Sequence, residues 1–248
     1  MATAGGSRGA GPERAFLFPL PPSGPARLDP EEGRHLVRSR RVAVGDEVVL
    51  FDGRGVTRLA RLTTDDPNGP VLDIVGPYPD REPRRRVAVA AALPGAGRAD
   101  EMIAALAECG VDRFVPLSCE RSNVDVAEVA RRRASRFERL AREAAKVNGR
   151  SRCLRVETAR SPADLAANPG EGARAILLDP DPALPRLVRV VAGMAEAEPL
   201  LLMIGPEGGW SDGERAAIRA VAVSAALWEC ALRTEAAAVA AAAIALGV

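Results

Sequence analysis

A glycine-rich loop, residues 205–209, reads Gly-Pro-Glu-Gly-Gly and directly follows an apolar run typical of a buried strand. Because proline donates no backbone hydrogen bond, the chain must turn at Pro206. Gly208 and Gly209 allow the backbone to approach a bound molecule closely. Loops at the carboxyl ends of strands are where open α/β sheets bind ligands. The segment therefore predicts a ligand site built largely from backbone groups, with an ordinary strand-to-helix connection as the alternative.

A second loop, Leu-Arg-Thr-Glu at residues 232–235, precedes an alanine-rich helix and carries side chains suited to proton transfer. Arg233 and Glu235 would place a hydrogen-bond donor and an acid at the same pocket. Thr234 belongs to the residue types that cap helix N-termini, and capping is the simpler role for it.

Composition narrows the chemistry that these loops can support. His35 is the only histidine, which excludes a His-rich metal site and leaves one residue for a Ser-His-Asp triad. No phosphate-loop pattern Gly-x-x-x-x-Gly-Lys occurs. Neither a zinc site nor a disulfide framework is indicated, because the four cysteines are widely separated: Cys109, Cys119, Cys153 and Cys230. General acid and base work falls to carboxylates and arginine, without a metal.

Positive charge is unevenly distributed, although the net charge is only +1. Residues 156–248 hold 7 basic and 12 acidic residues, which leaves 27 basic and 21 acidic residues in 1–155. The first part is therefore the candidate polyanion-binding part. Its candidates for RNA contact are a helical group, Arg34, His35, Arg38 and Arg41, and a later loop with Arg150 and Arg152. For the helical group, an ordinary solvated helix face is the alternative.

The elements that position these residues fall into two regions. Residues 14–82 read as short strands (16–18, 48–51, 56–62 and 71–75) with one helix from Asp29 to about Arg41, and a proline-rich linker follows at 76–83. Strands and helices then alternate, which predicts an α/β fold with a largely parallel sheet. Predicted strands are 87–93, 114–117, 175–179, 200–204 and 225–228; predicted helices are 100–109, 126–147, 184–194, 213–221 and 235–246. Residues 1–13 are expected to be a disordered tail, and no segment suits a signal peptide or membrane span, which predicts a cytoplasmic protein.

The chain resembles the RsmE family, which methylates N3 of a uridine in 16S ribosomal RNA and belongs to the knotted SPOUT superfamily. The family pattern of a strand, Gly-Pro-Glu-Gly-Gly, an aromatic residue and Ser-Asp-x-Glu is matched by residues 204–214. The Leu-Arg-Thr-Glu signature is matched by residues 232–235. Weaker matches include Glu120-Arg121-Ser122, which adds Arg121 to the candidates for RNA contact.

The resemblance implies a PUA-like RNA-binding β-barrel over 14–82 and a trefoil-knotted SPOUT methyltransferase domain over 83–248. It also implies a homodimer that acts on 16S rRNA or the small ribosomal subunit with S-adenosyl-L-methionine as cofactor. Residues expected to hold the cofactor are Leu178, Ile204, Gly205, Pro206, Glu207, Gly209, Leu227, Trp228, Leu232, Arg233 and Thr234.

Methyl transfer from a sulfonium needs no metal, but loss of the uridine N3 proton must be assisted. We expect Arg233 to stabilise the uracil anion, and Glu235 or Glu207 to position it or accept the proton. The chain departs from the family at Trp228-Glu229, where relatives have Gly-Pro, and at Ala105 and Ala236. Two alternatives stay open: a SPOUT methyltransferase of another base or ribose position, and a non-catalytic rRNA-binding assembly factor.

Overall fold

A computed structural model describes residues 11–80, 82–122, 125–228 and 231–248. The chain divides into two compact units. One comprises Met1–Arg81 with Gly149–Arg152, and the other comprises Glu82–Asn148 with Cys153–Val248. The division lies one residue before the boundary expected from the proline-rich linker, and the loop 149–152 groups with the N-terminal unit instead of the C-terminal one. Most of the predicted tail (residues 1–10), Glu229 and Cys230 lie outside the described residues.

The N-terminal unit is a five-stranded sheet in the order β1-β3-β4-β5-β2. Its β1–β3 pair is parallel and the other pairs are antiparallel. Strand β2 was not predicted because glycine and proline at its start disfavour strands. The strand predicted at 16–18 is instead β1, which begins at the last residue of the predicted tail. The strands are β1 (Glu13–Phe16), β2 (Gly24–Arg27), β3 (Glu47–Phe51), β4 (Thr57–Thr64) and β5 (Val71–Pro77).

Helix α1 (Pro30–Arg34) begins where the sequence predicts. The Asp29 carboxylate accepts hydrogen bonds from the backbone of Glu31 and Glu32, both at 2.9 Å, and Pro30 occupies the first turn. A wider π-helical turn (His35–Ser39) continues α1. The helix therefore ends two residues before the predicted end at Arg41, whose positive φ of 59° is incompatible with continuing it.

The C-terminal unit contains a six-stranded sheet in the order β11-β9-β10-β6-β7-β8, with every pair parallel. The α/β fold with a parallel sheet agrees with the alternating sequence pattern. The strands are β6 (Val87–Ala91), β7 (Arg113–Pro116), β8 (Arg155–Val156), β9 (Arg174–Leu178), β10 (Leu200–Ile204) and β11 (Val223–Ala225). The helices are α2 (Ala96–Cys109), α3 (Val126–Asn148), α4 (Pro162–Ala167), α5 (Leu187–Ala192), α6 (Asp212–Arg219) and α7 (Thr234–Gly247).

Strand β10 lies inside this sheet and is buried along its whole length. Leu200, Leu202 and Ile204 join the core under α2, α3, α5 and α7, whereas Leu201 and Met203 join the core under α4 and α6. Residues alternate between the two faces of a strand, so an entirely apolar sequence is what a strand covered on both faces requires. The glycine-rich loop consequently emerges at the carboxyl edge of a fixed central strand.

Four elements of this unit differ most from the sequence prediction. The strand predicted at 225–228 ends at Ala225, because Ala226 bonds to the segment before α5: its N–H donates to the Pro185 carbonyl and its own carbonyl accepts from Leu187 N–H, both at 2.9 Å. Strand β8 and helix α4 were not predicted, since two and six residues give too little periodicity. Helix α5 is shorter at both ends than the predicted 184–194.

Candidate active site

Three chain segments meet at the carboxyl edge of the sheet and enclose about 750 Å³ of empty space, partly open to solvent. We call this cavity the strand-end pocket. It is formed by the end of β9, the loop after β10, and the segment between β11 and α7 with the first turns of α7. Ten of the eleven residues predicted to hold a cofactor line it: Leu178, Ile204, Gly205, Pro206, Glu207, Gly209, Leu227, Trp228, Leu232 and Thr234.

Trp210 forms one wall of the strand-end pocket and is only 2% exposed. Its indole Nε1 donates a hydrogen bond to the Leu178 carbonyl at 3.1 Å, which ties the loop after β10 to the end of β9. A Cβ atom on Gly205 would lie 3.1 Å from the indole ring. Gly205 is therefore required for close packing, and Gly209 for its φ of 70°.

Glu214 fixes the other end of the glycine-rich loop. Its carboxylate accepts hydrogen bonds from the backbone of Ser211 and Glu120, both at 2.9 Å, while the Ser211 hydroxyl accepts from Glu214 N–H at 3.1 Å. This is a capping box at the start of α6 with an additional tie to the loop after β7. Arg121, predicted to contact RNA, donates to the Gly208 carbonyl at 3.1 Å.

Burial raises the pKa of the nearby Cys119 thiol to about 12, and the Glu214 carboxylate contributes to the shift. Cys119 is therefore a protonated core residue and not a nucleophile. Cys109, which is half-buried, is also a free thiol.

The sequence suggested that Thr234 caps helix α7, but the structure shows that it does not. Arg233 is the N-cap residue and makes no side-chain capping bond. Thr234 occupies the first helical position, where it is 3% exposed and its hydroxyl donates to the Gly205 carbonyl at 3.1 Å. The two motifs found in the sequence are thus joined directly by a hydrogen bond.

Arg233 lines a second cavity, which shares Pro206 and Glu207 with the strand-end pocket. We call it the arginine cleft. It holds about 1170 Å³ of empty space, partly open to solvent, and its lining residues are Ala92, Leu93, Pro94, Gly95, Arg98, Ser122, Pro206, Glu207 and Arg233.

Arg98 links the two carboxylates that the sequence singled out. Its Nη1 lies 3.3 Å from Glu235 Oε1 and 3.8 Å from Glu207 Oε1. Glu235 lines neither cavity; its side chain is 19% exposed and sits beside Arg98. Sequence reasoning missed Arg98 because it lies about 110 to 140 positions from both carboxylates, so only the sheet topology brings them together.

A charged pair lies at another part of the strand-end pocket. Arg215 Nε contacts the buried Asp179 carboxylate at 2.9 Å, and Arg219 approaches the same carboxylate at 3.2 Å. Asp179 and Arg215 both line the pocket and, like Trp210, were not predicted as site residues. Asp179 was predicted as the last residue of a strand, and this place at a carboxyl end was the one sequence signal that pointed to it.

Trp228 lies at the rim of the strand-end pocket with 63% of its surface exposed. The bulky residue that replaces the glycine of the family pattern therefore does not fill the pocket.

The predicted RNA contacts in the N-terminal unit differ in accessibility. Arg34, Arg38 and Arg41 are exposed, and His35 is half-buried. Arg150 is only 4% exposed, so it does not present its guanidinium group at the surface. Arg152, half-buried, donates to the Arg54 carbonyl at 3.0 Å.

Comparison with known proteins identifies the family. Residues 80–246 match the family model for an RNA methyltransferase domain, and residues 28–75 match the model for an RNA methyltransferase PUA domain. Ribosomal RNA small subunit methyltransferase E of Mycobacterium bovis is 34% identical over 244 residues, which cover 94% of this chain and 88% of the relative. This chain belongs to the RsmE family. A Bacillus subtilis RsmE protein is 24% identical over 74% of each chain.

Solved structures related to the RsmE family share the fold of this chain. A Legionella pneumophila methyltransferase, solved with bound S-adenosylmethionine, has a TM-score of 0.81 and 23% identity over 96% of this chain and 98% of that chain. An RsmE protein of Neisseria gonorrhoeae, also bound to S-adenosylmethionine, has a TM-score of 0.81 and 23% identity over 94% and 96% of the two chains.

In the part of the chain that the structure describes, no group of three His, Cys, Asp or Glu side chains could hold a metal ion. No described helix has both the length and the apolar character needed to cross a membrane.

Proposed function

We propose that this protein transfers a methyl group from S-adenosyl-L-methionine to N3 of a uridine in 16S ribosomal RNA. The observation that carries the proposal is the strand-end pocket, in which both RsmE sequence motifs meet through the Thr234–Gly205 hydrogen bond. Because the RsmE proteins named above are small-subunit rRNA methyltransferases, this pocket is the expected place for the methyl donor.

The residues of the strand-end pocket fit that donor. Leu178, Ile204 and Leu227 offer an apolar surface to a flat adenine ring, and the backbone around Gly205 offers polar groups. When bound, S-adenosylmethionine supplies a methyl carbon already activated by the sulfonium. We place the donor against the ten predicted residues that line the pocket; Arg233, the eleventh, lies at the neighbouring cleft.

The acceptor must lose its N3 proton, and the charged groups beside the pocket suit that requirement. Arg233 would stabilise the negative charge that develops on the uracil oxygens. Glu207 or Glu235 would accept the proton or hold the base in position. Both carboxylates lie within 4 Å of Arg98, and Arg233 lines the same cavity as Arg98 and Glu207.

We extend three further properties from the family to this chain. The segments that form the strand-end pocket would be threaded as a trefoil knot, a rare exception to unknotted topology. The N-terminal sheet would close into a PUA-like barrel, and two copies would associate as a homodimer. The site of action would be the cytoplasm, where small ribosomal subunits are assembled.

RNA binding is assigned to exposed basic residues. Arg34, Arg38 and Arg41, with His35 on the same helical segment, would contact phosphates from the N-terminal unit, and Arg121 from the C-terminal unit. Arg152 remains a candidate, whereas the burial of Arg150 removes it from this set.

Calorimetry with S-adenosylmethionine, followed by methyl transfer to isolated small and large ribosomal subunits, tests the proposal. We expect binding and transfer to the small subunit alone. The Arg233→Ala variant should lose at least about 100-fold in transfer rate, the usual cost of one stabilising donor, while it keeps near-normal cofactor affinity. Failure to bind S-adenosylmethionine would favour the non-catalytic assembly factor, and transfer to the large subunit would contradict the substrate assignment.

A further inference from the structure

The arginine cleft has the chemistry of a receptor for a planar, acidic heterocycle. Arg98 and Arg233 contribute two guanidinium groups, and Glu207 contributes a carboxylate at the boundary with the strand-end pocket. Ala92, Leu93 and Pro94 give the same cleft an apolar wall. A uracil base has two carbonyl oxygens flanking an N–H group, so it requires this combination of donors and acceptor.

Glu207 and Glu235 are not equivalent around Arg98. Glu207 lines both cavities and has a half-exposed side chain, so it can reach a base in the cleft. Glu235 lines neither cavity, and it is the closer of the two to Arg98 at 3.3 Å. Its Oε2 is buried and has no hydrogen-bond partner in the part of the chain that the structure describes. Glu235 can therefore act on the reacting base only indirectly, through its ion pair with Arg98.

We propose that the arginine cleft receives the target uracil, with Glu207 as the proton acceptor and Glu235 as a positioning residue that holds Arg98 in place. The proposal rests on the proposed function. The N3–H bond breaks and its proton passes to Glu207, while Arg98 and Arg233 stabilise the negative charge on the flanking oxygens. N3 then bonds to the methyl carbon, and the electron pair of the broken carbon–sulfur bond stays on sulfur. The products are N3-methyluracil, S-adenosylhomocysteine and one proton released to water.

A double-mutant cycle separates a positioning residue from an independent catalytic one. We would measure single-turnover methylation of small ribosomal subunits at saturating S-adenosylmethionine for Arg98→Gln, Glu235→Gln and the double variant. We expect a loss of about 100-fold for Arg98→Gln, a smaller loss for Glu235→Gln, and no further loss in the double variant. Losses that multiply in the double variant would overturn the positioning role of Glu235.

The role of Glu207 is tested with a more acidic acceptor. Subunits reconstituted with 16S RNA that contains 5-fluorouridine have a more acidic N3, so they depend less on a protein base. Glu207→Gln should lose at least about 100-fold with uridine and clearly less with 5-fluorouridine. An equal loss with both substrates would remove Glu207 as the proton acceptor.

Controls make these outcomes specific. Arg84→Gln breaks an exposed ion pair with Glu196, outside both cavities, and should leave the rate unchanged. Arg98→Lys retains the charge and should recover part of the rate lost in Arg98→Gln. In both Arg98 variants, the affinity for S-adenosylmethionine measured by calorimetry should change less than about threefold. Urea unfolding establishes that each variant is folded. Wild-type protein that fails to methylate small subunits would refute the proposed function, whereas active wild type with an active Arg98→Gln variant would refute only the assignment of this cleft.

Discussion

Replacement of Glu214 by alanine should destabilise the C-terminal unit by about 2–4 kcal/mol. The Glu214 side chain is buried, and its two oxygens accept the backbone N–H groups of Ser211 and Glu120, both at 2.9 Å. A buried donor left without a partner costs about 1–3 kcal/mol, and the part-buried Glu120 N–H adds about 1 kcal/mol. Glu214→Gln retains one acceptor oxygen and should lose roughly half as much.

Urea unfolding followed by tryptophan fluorescence measures this loss directly. Both tryptophans, Trp210 and Trp228, belong to the C-terminal unit, so their signal reports on that unit. Asp212→Ala is the matched control, because Asp212 lies in the first turn of the same helix with a 99% exposed side chain. It should cost less than about 1 kcal/mol, the usual size of a helix-dipole interaction. Equal losses for Glu214→Ala and Asp212→Ala would refute the claim that the buried carboxylate anchors the glycine-rich loop.

Three further predictions concern the same part of the protein. Trp210→Phe removes the indole donor to the Leu178 carbonyl and should lower the free energy of unfolding by about 2 kcal/mol, measured by urea titration with circular dichroism. Thr234→Val keeps the shape but leaves the Gly205 carbonyl without its donor, so it should cost about 1–2 kcal/mol and weaken S-adenosylmethionine binding in calorimetry. Burial raises the pKa of Cys119 to about 12, so peptide mass spectrometry should find this thiol unalkylated by iodoacetamide at pH 8.5 in native protein and alkylated in urea. Alkylation at equal rates in both states would contradict the third prediction.

The raised pKa of Cys119 also predicts that the folded state loses stability at high pH. The thiol keeps its proton in the folded state at pH values where the unfolded thiol, with its ordinary pKa of 9.0, has lost it. The contribution of the Cys119 thiol to the free energy of unfolding is complete below about pH 9 and is lost as the pH rises towards about 12. Cys119→Ala should therefore reduce the loss of stability across this pH range.

The sequence was most informative where one physical signal dominates. Strand β10 was predicted residue for residue because it is uniformly apolar and is followed by Gly205-Pro206, which stops the ladder. Seven of the ten predicted residues that line the strand-end pocket belong to the two loop motifs, which lie next to strand ends of a parallel sheet, where ligand sites form. The other three, Leu178, Leu227 and Trp228, were expected only from the family resemblance.

Sequence reasoning failed where a role depends on partners far along the chain. Thr234 looked like a helix cap, since capping is the local role of threonine, yet its hydroxyl bonds to Gly205. Arg150 was predicted to contact RNA because it lies in a basic loop, and it is only 4% exposed. Arg98 has no local pattern at all; its importance follows from its two carboxylate partners, which only the folded sheet brings near it.

The identity of the methylated nucleoside tests the central claim most directly. Unmethylated small ribosomal subunits would be incubated with this protein and S-adenosylmethionine, and their 16S RNA digested to nucleosides for mass spectrometry against authentic standards. We expect N3-methyluridine at a single site, absent from reactions without the protein. Methylation of a ribose hydroxyl or of another base, or no methylation by protein that binds S-adenosylmethionine, would contradict it.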